Sequence, residues 1–260
     1  MKVWITGASS GIGEACALRY ASMGAELVLT SSSAVKLEAV AASCLRAGAA
    51  GVSVLPYDLG NPDGIEALAE EAWNAFGGLD TVYCNAGVSQ RTNMLDTSMA
   101  VTRKLMEINF FAPAAISRAI LPRMIAAGGG HIAVTSSIAG RFGFPLRCAY
   151  SSSKFAVYGW FETMRAEYLK QGIKVTTVCP GRVRTNISFS ALDKDGNKYG
   201  KMDPGQAGGL DVAKAARKIV RAIEKGKREV LVGRKELIMV YIKRFFPGLC
   251  ARLSILLKPI

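Results

Sequence analysis

Residues 3–13 read Val3-Trp4-Ile5-Thr6-Gly7-Ala8-Ser9-Ser10-Gly11-Ile12-Gly13. The first four are apolar or β-branched, the composition of a short buried strand. The next seven hold three glycines and lead into a helical pattern over 12–22. Glycines there let the backbone turn tightly and approach a pyrophosphate, whose charge the following helix N-terminus stabilises. Glycines alone would mark any tight turn. Their place between a first strand and a first helix is what points to a dinucleotide.

The same alternation runs through all 260 residues. Strands are predicted at 2–6, 26–30, 52–55, 80–84, 131–136, 174–179 and 229–232. Helices are predicted near 12–22, 33–46, 62–76, 98–126, 149–170, 211–224 and 234–257. Short apolar strands separated by helices imply an α/β fold: one doubly wound, Rossmann-type parallel sheet of about seven strands, with ligands at the strands' carboxyl ends. No linker or repeat divides the chain. Residues 1–233 read as one domain and 234–260 as a basic, apolar C-terminal helical extension. Segment 186–209, polar and Gly-rich after Ile187, Phe189 and Leu192, reads as a mobile lid.

Composition narrows the chemistry. Half the residues are hydrophobic, enough for a large core. Cys16, Cys44, Cys84, Cys148, Cys179 and Cys250 form no C-x-x-C pair and read as reduced thiols. The only histidine, His131, can build neither a metal cluster nor a triad, so no metal is expected. The net charge of +13 is uneven: thirteen basic against four acidic residues between Asp211 and Ile260 carry +9 of it. A positive end on a balanced body suits a membrane surface or an acidic partner better than a nucleic-acid groove. No leader pattern precedes the first strand, so the expected location is cytoplasmic, peripheral on a membrane through the C-terminal segment.

The second strand ends Leu29-Thr30-Ser31-Ser32-Ser33, without the acid that binds a ribose 2′-hydroxyl in NAD sites. Ser31 and Ser32 can donate to a 2′-phosphate and Lys36 can add charge, so NADP(H) is favoured over NAD(H). Ser33 alternatively caps the next helix. Asp58-Leu59 follows the third strand, where a carboxylate can accept from an adenine amino group. Asn85-Ala86-Gly87 ends the fourth strand with small residues beside the ribose. After the sixth strand, the Pro180-Gly181 backbone can hold a carboxamide, with Val183 and Thr185 beyond it and the Thr185 hydroxyl within reach of a phosphate.

Tyr150 and Lys154 are four apart in a helical pattern and share one face. A tyrosine titrates near ~10. A neighbouring ammonium and the positive nicotinamide ring of an oxidised cofactor both favour phenolate, so Tyr150 can exchange a proton with a carbonyl or hydroxyl oxygen. Ser137, at the end of the fifth strand, can donate to that oxygen; Ser136 is the rival, and the spacing favours Ser137.

Taken together, the Thr6–Gly13 turn, Asn85-Ala86-Gly87, Asn109, Ser137, Tyr150-x-x-x-Lys154 and Pro180-Gly181 resemble the short-chain dehydrogenase/reductase family, in order, from Met1 to about Gly233. The resemblance implies that Tyr150 is the acid/base and that Lys154 lowers its pKa and holds the nicotinamide ribose. It further implies that Ser137 orients the carbonyl and that Asn109 anchors a water relay. Two positions depart from the family pattern. Cys84 stands where a second Asn is common, and no Arg lies near Ser32, as it does in NADP-using members.

Residues 237–257 are apolar enough to raise the question of a membrane span. Lys243, Arg244 and Arg252 would each cost about 2.5–3.5 kcal/mol near a helix centre, and Pro247-Gly248 interrupts the helix. An anchor lying in the headgroup region fits better. The alternative is a helix packed on the core or on a subunit interface. The segment resembles the membrane-attached branch of the family, including member-7-type dehydrogenase/reductases. The implied substrate is an apolar ketone or secondary alcohol (lipid, steroid or retinoid-like), lined by Phe142, Phe144, Leu146, Ile187, Phe189 and Leu192. A homo-oligomer, dimer or tetramer, is expected. The rival readings are a 3-oxoacyl-carrier-protein reductase and a non-catalytic cofactor sensor or membrane scaffold.

Overall fold

In a computed structural model, which describes residues 1–256, seven strands form one parallel sheet. They are β1 (Lys2–Thr6), β2 (Glu26–Ser31), β3 (Gly51–Pro56), β4 (Thr81–Cys84), β5 (Gly130–Thr135), β6 (Ile173–Pro180) and β7 (Glu229–Val232). Their order is β3-β2-β1-β4-β5-β6-β7. The chain winds outward through β2 and β3, then crosses back to place β4 on the other side of β1. A crevice therefore opens at the carboxyl ends of β1 and β4, where loops from neighbouring strands diverge.

Both faces of the sheet are covered, which is why β1 is an unbroken apolar run. Val3, Ile5, Leu27 and Leu29 pack on one side with Cys16 and Tyr20 of α1 (Gly11–Ala21), Leu37 of α2 (Ala34–Arg46), and Ile219 and Ile223 of α8 (Val212–Glu224). Trp4, Val28 and Val82 face the other way. They meet Leu68 of α3 (Ile65–Asn74), Ile116 of α5 (Ala112–Ala126) and Phe161 of α6 (Cys148–Tyr168).

Two predicted helices differ. The 98–126 pattern splits into α4 (Met99–Met106), a widened π-turn at Glu107–Phe111, and α5. Pro113 has no N–H for the Asn109 carbonyl, so a regular α-helical ladder fails there. The 234–257 pattern becomes a turn at Lys235–Leu237, α9 (Ile238–Phe245) and α10 (Pro247–Leu256), broken where Pro247 opens the second helix; its last predicted residue lies outside the described residues. This extension packs Leu237, Met239, Cys250 and Leu253 on Ile138, Phe142 and Phe144. Segment 186–209 contains a short helix α7 (Pro204–Ala207) and lies across the strand ends, with Leu192 bridged to Gln90.

His131 on β5 is buried, and its Nε2 lies 2.8 Å from the Thr176 hydroxyl oxygen. That hydroxyl donates to the Lys227 carbonyl, so the imidazole donates from Nε2. Burial first, and the Lys174 ammonium second, push its pKa down to about 4. A depressed folded-state value means the stabilisation is complete above ~6.5 and is lost as pH falls towards 4, about 3 kcal/mol in all. The single imidazole signal in NMR should stay neutral down to about pH 5. A midpoint near 6.5 would contradict the burial.

Candidate active site

The turn after β1 leaves no room for side chains. Gly7 has φ +65°, and a Cβ there would stand 2.7 Å from Ala86 Cα. A Cβ on Gly13 would run into the Gly7 carbonyl. Thr6 Oγ1 accepts from the Asn85 and Ala86 amides at 3.1 and 3.2 Å, and Asn85 Nδ2 donates to the Thr6 carbonyl at 3.2 Å. β1 and β4 are thereby locked together at the crevice. Ser10 occupies the N-cap of α1 in extended backbone without bonding the first-turn amides, so those amides remain available to an anion. Ser9 lies in the same turn, half-buried Ile12 follows, and the Thr185 side chain lies 3.3 Å from where a Gly11 Cβ would be.

The adenosine side is more open. Ser31 Oγ accepts from the Ser33 amide at 3.3 Å, Ser32 is exposed, and Ser33 caps α2 as expected. Asp58 borders a cavity of about 340 Å³ that Gly60, Arg103, Lys104, Glu107 and Ile108 also line. Leu59 and Val183 bury their side chains in the core, so only their backbones can face a ligand. These residues can hold a dinucleotide along the strand ends: a glycine cradle, free helix amides and an acid at the far end.

Tyr150 and Lys154 follow one another by a turn at the start of α6, both buried. Lys154 Nζ donates to the Thr135 carbonyl at 2.8 Å. Burial pushes its pKa down to about 8. Asn109, in the widened turn, receives the Val88 amide at 2.8 Å and donates to the Val88 carbonyl and Ser153 Oγ at 2.9 Å each. A side chain on Gly87 would stand 3.0 Å from Asn109 Oδ1 and 3.2 Å from Lys154 Nζ. Glycine there keeps the two side chains beside one open space. Ser136 and Ser137 separate cleanly. Ser136 Oγ donates to the Lys154 carbonyl at 2.9 Å, pinning α6 to β5. Ser137 Oγ donates to the Pro180 carbonyl at 3.3 Å and accepts from the Ala139 amide at 3.1 Å, near enough to the Tyr150 side chain to lower its pKa.

Burial holds the Tyr150 phenol above its ordinary pKa, against the Ser137 hydrogen bond and the charges of Arg147 and Arg91. Arg147 and Arg91 are cations that favour the phenolate, and Lys154 Nζ stands over the same ring, 5.9 Å from its centroid. Arg91 and Arg147 converge on Asp203 Oδ2 at 2.5 and 3.3 Å, and Asp203 Oδ1 caps α7. The Nε atoms of both arginines have no partner among the described residues. This cluster was missed from sequence, since its members come from three loops up to 112 residues apart. Of the expected lining, Phe189 and Leu146 are part-exposed, whereas Phe142 and Leu192 are buried behind the wall.

The short chain dehydrogenase profile matches residues 1–195. The chain belongs to the short-chain dehydrogenase/reductase family. Within it the chain falls in the member-7-like branch, being 40% identical over 256 residues to dehydrogenase/reductase SDR family member 7B of Mus musculus, covering 96% of this chain and 79% of that one. A family member from Burkholderia phymatum in complex with NAD shares the fold at TM-score 0.82, with 24% identity over 100% of this chain and 96% of that chain. A putative NAD(P)-dependent gluconate 5-dehydrogenase from Beutenbergia cavernae, with NADP bound at low occupancy, gives TM-score 0.69 and 29% identity over 72% of this chain and 74% of that chain. The chain is thus an oxidoreductase of a family that binds nicotinamide cofactors.

Proposed function

We propose that this oxidoreductase interconverts an apolar ketone and its secondary alcohol with NADP(H). The observation that carries the reading is that Tyr150 lies beside Ser137, its ring centroid 5.9 Å from the Lys154 ammonium, which with Asn109 borders the space that Gly87 leaves open. A bound dinucleotide would supply hydride to the substrate carbon or accept it in the reverse direction. Ser137 orients the substrate oxygen and Tyr150 gives it a proton, or takes one in the reverse direction. Lys154 holds the nicotinamide ribose, and Asn109 anchors the water relay that returns protons through Lys154. Arg91 and Arg147 favour an anion beside them, the Tyr150 phenolate. Tyr150→Phe removes the donor while keeping the ring, and should lower kcat by at least ~10²-fold with cofactor affinity kept. Activity within a few-fold of wild type would sink the mechanism.

NADP(H) is preferred in this reading because Ser31 and Ser32 present hydroxyls and no acid at the end of β2. Titration should show tighter binding of NADPH than NADH, and Ser31→Asp should reverse the order, because a carboxylate repels a phosphate. Equal wild-type affinities would defeat the preference.

No helix among the described residues is long and apolar enough to cross a membrane. The outward faces of α9 and α10 expose Tyr241, Phe245, Phe246, Leu249 and Ile255 beside Lys243, Arg244 and Arg252, which supports seating on an anionic surface. This apolar face favours a lipid-like substrate over an acidic carrier protein, and an assembled Tyr150 site favours an enzyme over a scaffold. A dimer or tetramer fits exposed Phe111 and Phe155 on neighbouring elements. Full-length protein should co-sediment with anionic vesicles, less so at high salt. Phe245→Ser with Phe246→Ser should weaken that binding and leave thermal stability within a few degrees. Vesicle binding unchanged by the pair would place the contact elsewhere.

A further inference from the structure

The extension reaches the turn after β6 through one carboxylate. Glu236, in the turn Lys235–Leu237, accepts at Oε1 from the Arg182 amide at 2.7 Å and the Arg234 amide at 3.1 Å. Gly181 and Gly233 make its berth. A Cβ on Gly181 would stand 2.6 Å from Oε1, and one on Gly233 would be nearer still. The Gly181 amide meanwhile donates to the Val232 carbonyl at 2.8 Å. Carboxylate and turn thus fit each other, and hydrogen bonds to a charged acceptor are the stronger kind. Two residues further on, α9 begins, and its Met239 packs with Ile138 and Phe142 in the segment that follows Ser137.

We propose that Glu236 is a positioning residue that fixes the Gly181-Arg182 turn to the C-terminal extension, so that binding at the nicotinamide end of the cofactor and seating of the extension are coupled. This rests on the dinucleotide reading above, in which the Pro180-Gly181 turn holds the carboxamide. Remove the carboxylate and the Arg182 amide loses its acceptor, while Gly181 leaves the turn free to change shape. The coupling runs both ways: whatever the extension contributes to cofactor affinity, the cofactor returns to the extension's order.

The test uses full-length wild type, Glu236→Ala and Glu236→Gln. Each is titrated with NADPH and NADH, and with the fragments 2′,5′-ADP and ADP-ribose, which lack the nicotinamide. Glu236→Ala should weaken the dinucleotides about tenfold, the scale of one hydrogen bond to a charged group, and leave the fragments unchanged. Glu236→Gln keeps an acceptor oxygen and should recover most of the loss. In hydrogen exchange, dinucleotide should protect residues 234–246 of wild type but not of Glu236→Ala. Dinucleotides and fragments weakened equally would make Glu236 a general structural support, and unchanged affinities with unchanged protection would remove it from the site; either result overturns the proposal. Wild type that binds neither dinucleotide would overturn the cofactor reading and this proposal with it.

Discussion

Lys154 is a cation carried into the interior, and much of the site's construction follows from keeping it there. An ammonium removed from water carries a penalty of several kcal/mol unless its protons find acceptors. The Thr135 carbonyl at the end of β5 supplies one. Ser136, the next residue, holds the carbonyl of Lys154 itself, so strand and helix grip the same residue from both ends. A Cβ on Gly87 would press on Asn109 Oδ1 at 3.0 Å and on the ammonium at 3.2 Å, so glycine leaves both groups undisturbed. Depression of the pKa to about 8 still leaves the side chain mostly charged at neutral pH.

How much of this was legible depends on range. The order of strands and helices was legible because burial on both faces writes itself into short windows, and Val3–Thr6 with its glycine turn set the topology from the first residues. Tyr150 and Lys154 were legible because a helix fixes which residues share a face. The widened turn at Asn109 was not, although Pro113 four residues later carries the signal: its missing N–H breaks the ladder at that carbonyl. The Arg91–Asp203–Arg147 cluster and Glu236 had no local signature, because each contact joins loops that only the folded sheet brings together. Asp203 before Pro204 reads, in sequence, as nothing more than a helix cap.

That cluster adds to the electrostatic account of Tyr150. Spacing pointed to Lys154 and to the nicotinamide ring as the tuning charges. In the fold Lys154 stands over the ring, and Arg147 and Arg91 bring further positive charge to a phenol that burial holds above its ordinary pKa. Two guanidiniums sharing one carboxylate leave a positive excess in a place with little water, and such an excess favours whatever anion forms beside it. The segment that carries Asp203 therefore does more than cover the strand ends, since it sets how much of that excess the phenol experiences.

The extension shows the same economy. Sequence offered two readings of residues 237–257, a surface anchor or a helix packed on the core. The helix α9 makes them compatible. Met239 turns inward against Ile138 and Phe142, while Ile238, Tyr241 and Phe245 turn outward, the spacing by which one helix presents two faces. A helix apolar on both faces is stable only if something covers each of them. The inner cover is the segment that follows Ser137, and the outer face is bordered by Lys243 and Arg244. A surface that met that outer face would press on a helix whose other side packs on the segment after Ser137. Glu236, two residues before α9, accepts from the Arg182 amide in the turn after β6, and the family profile ends at residue 195, well before these contacts.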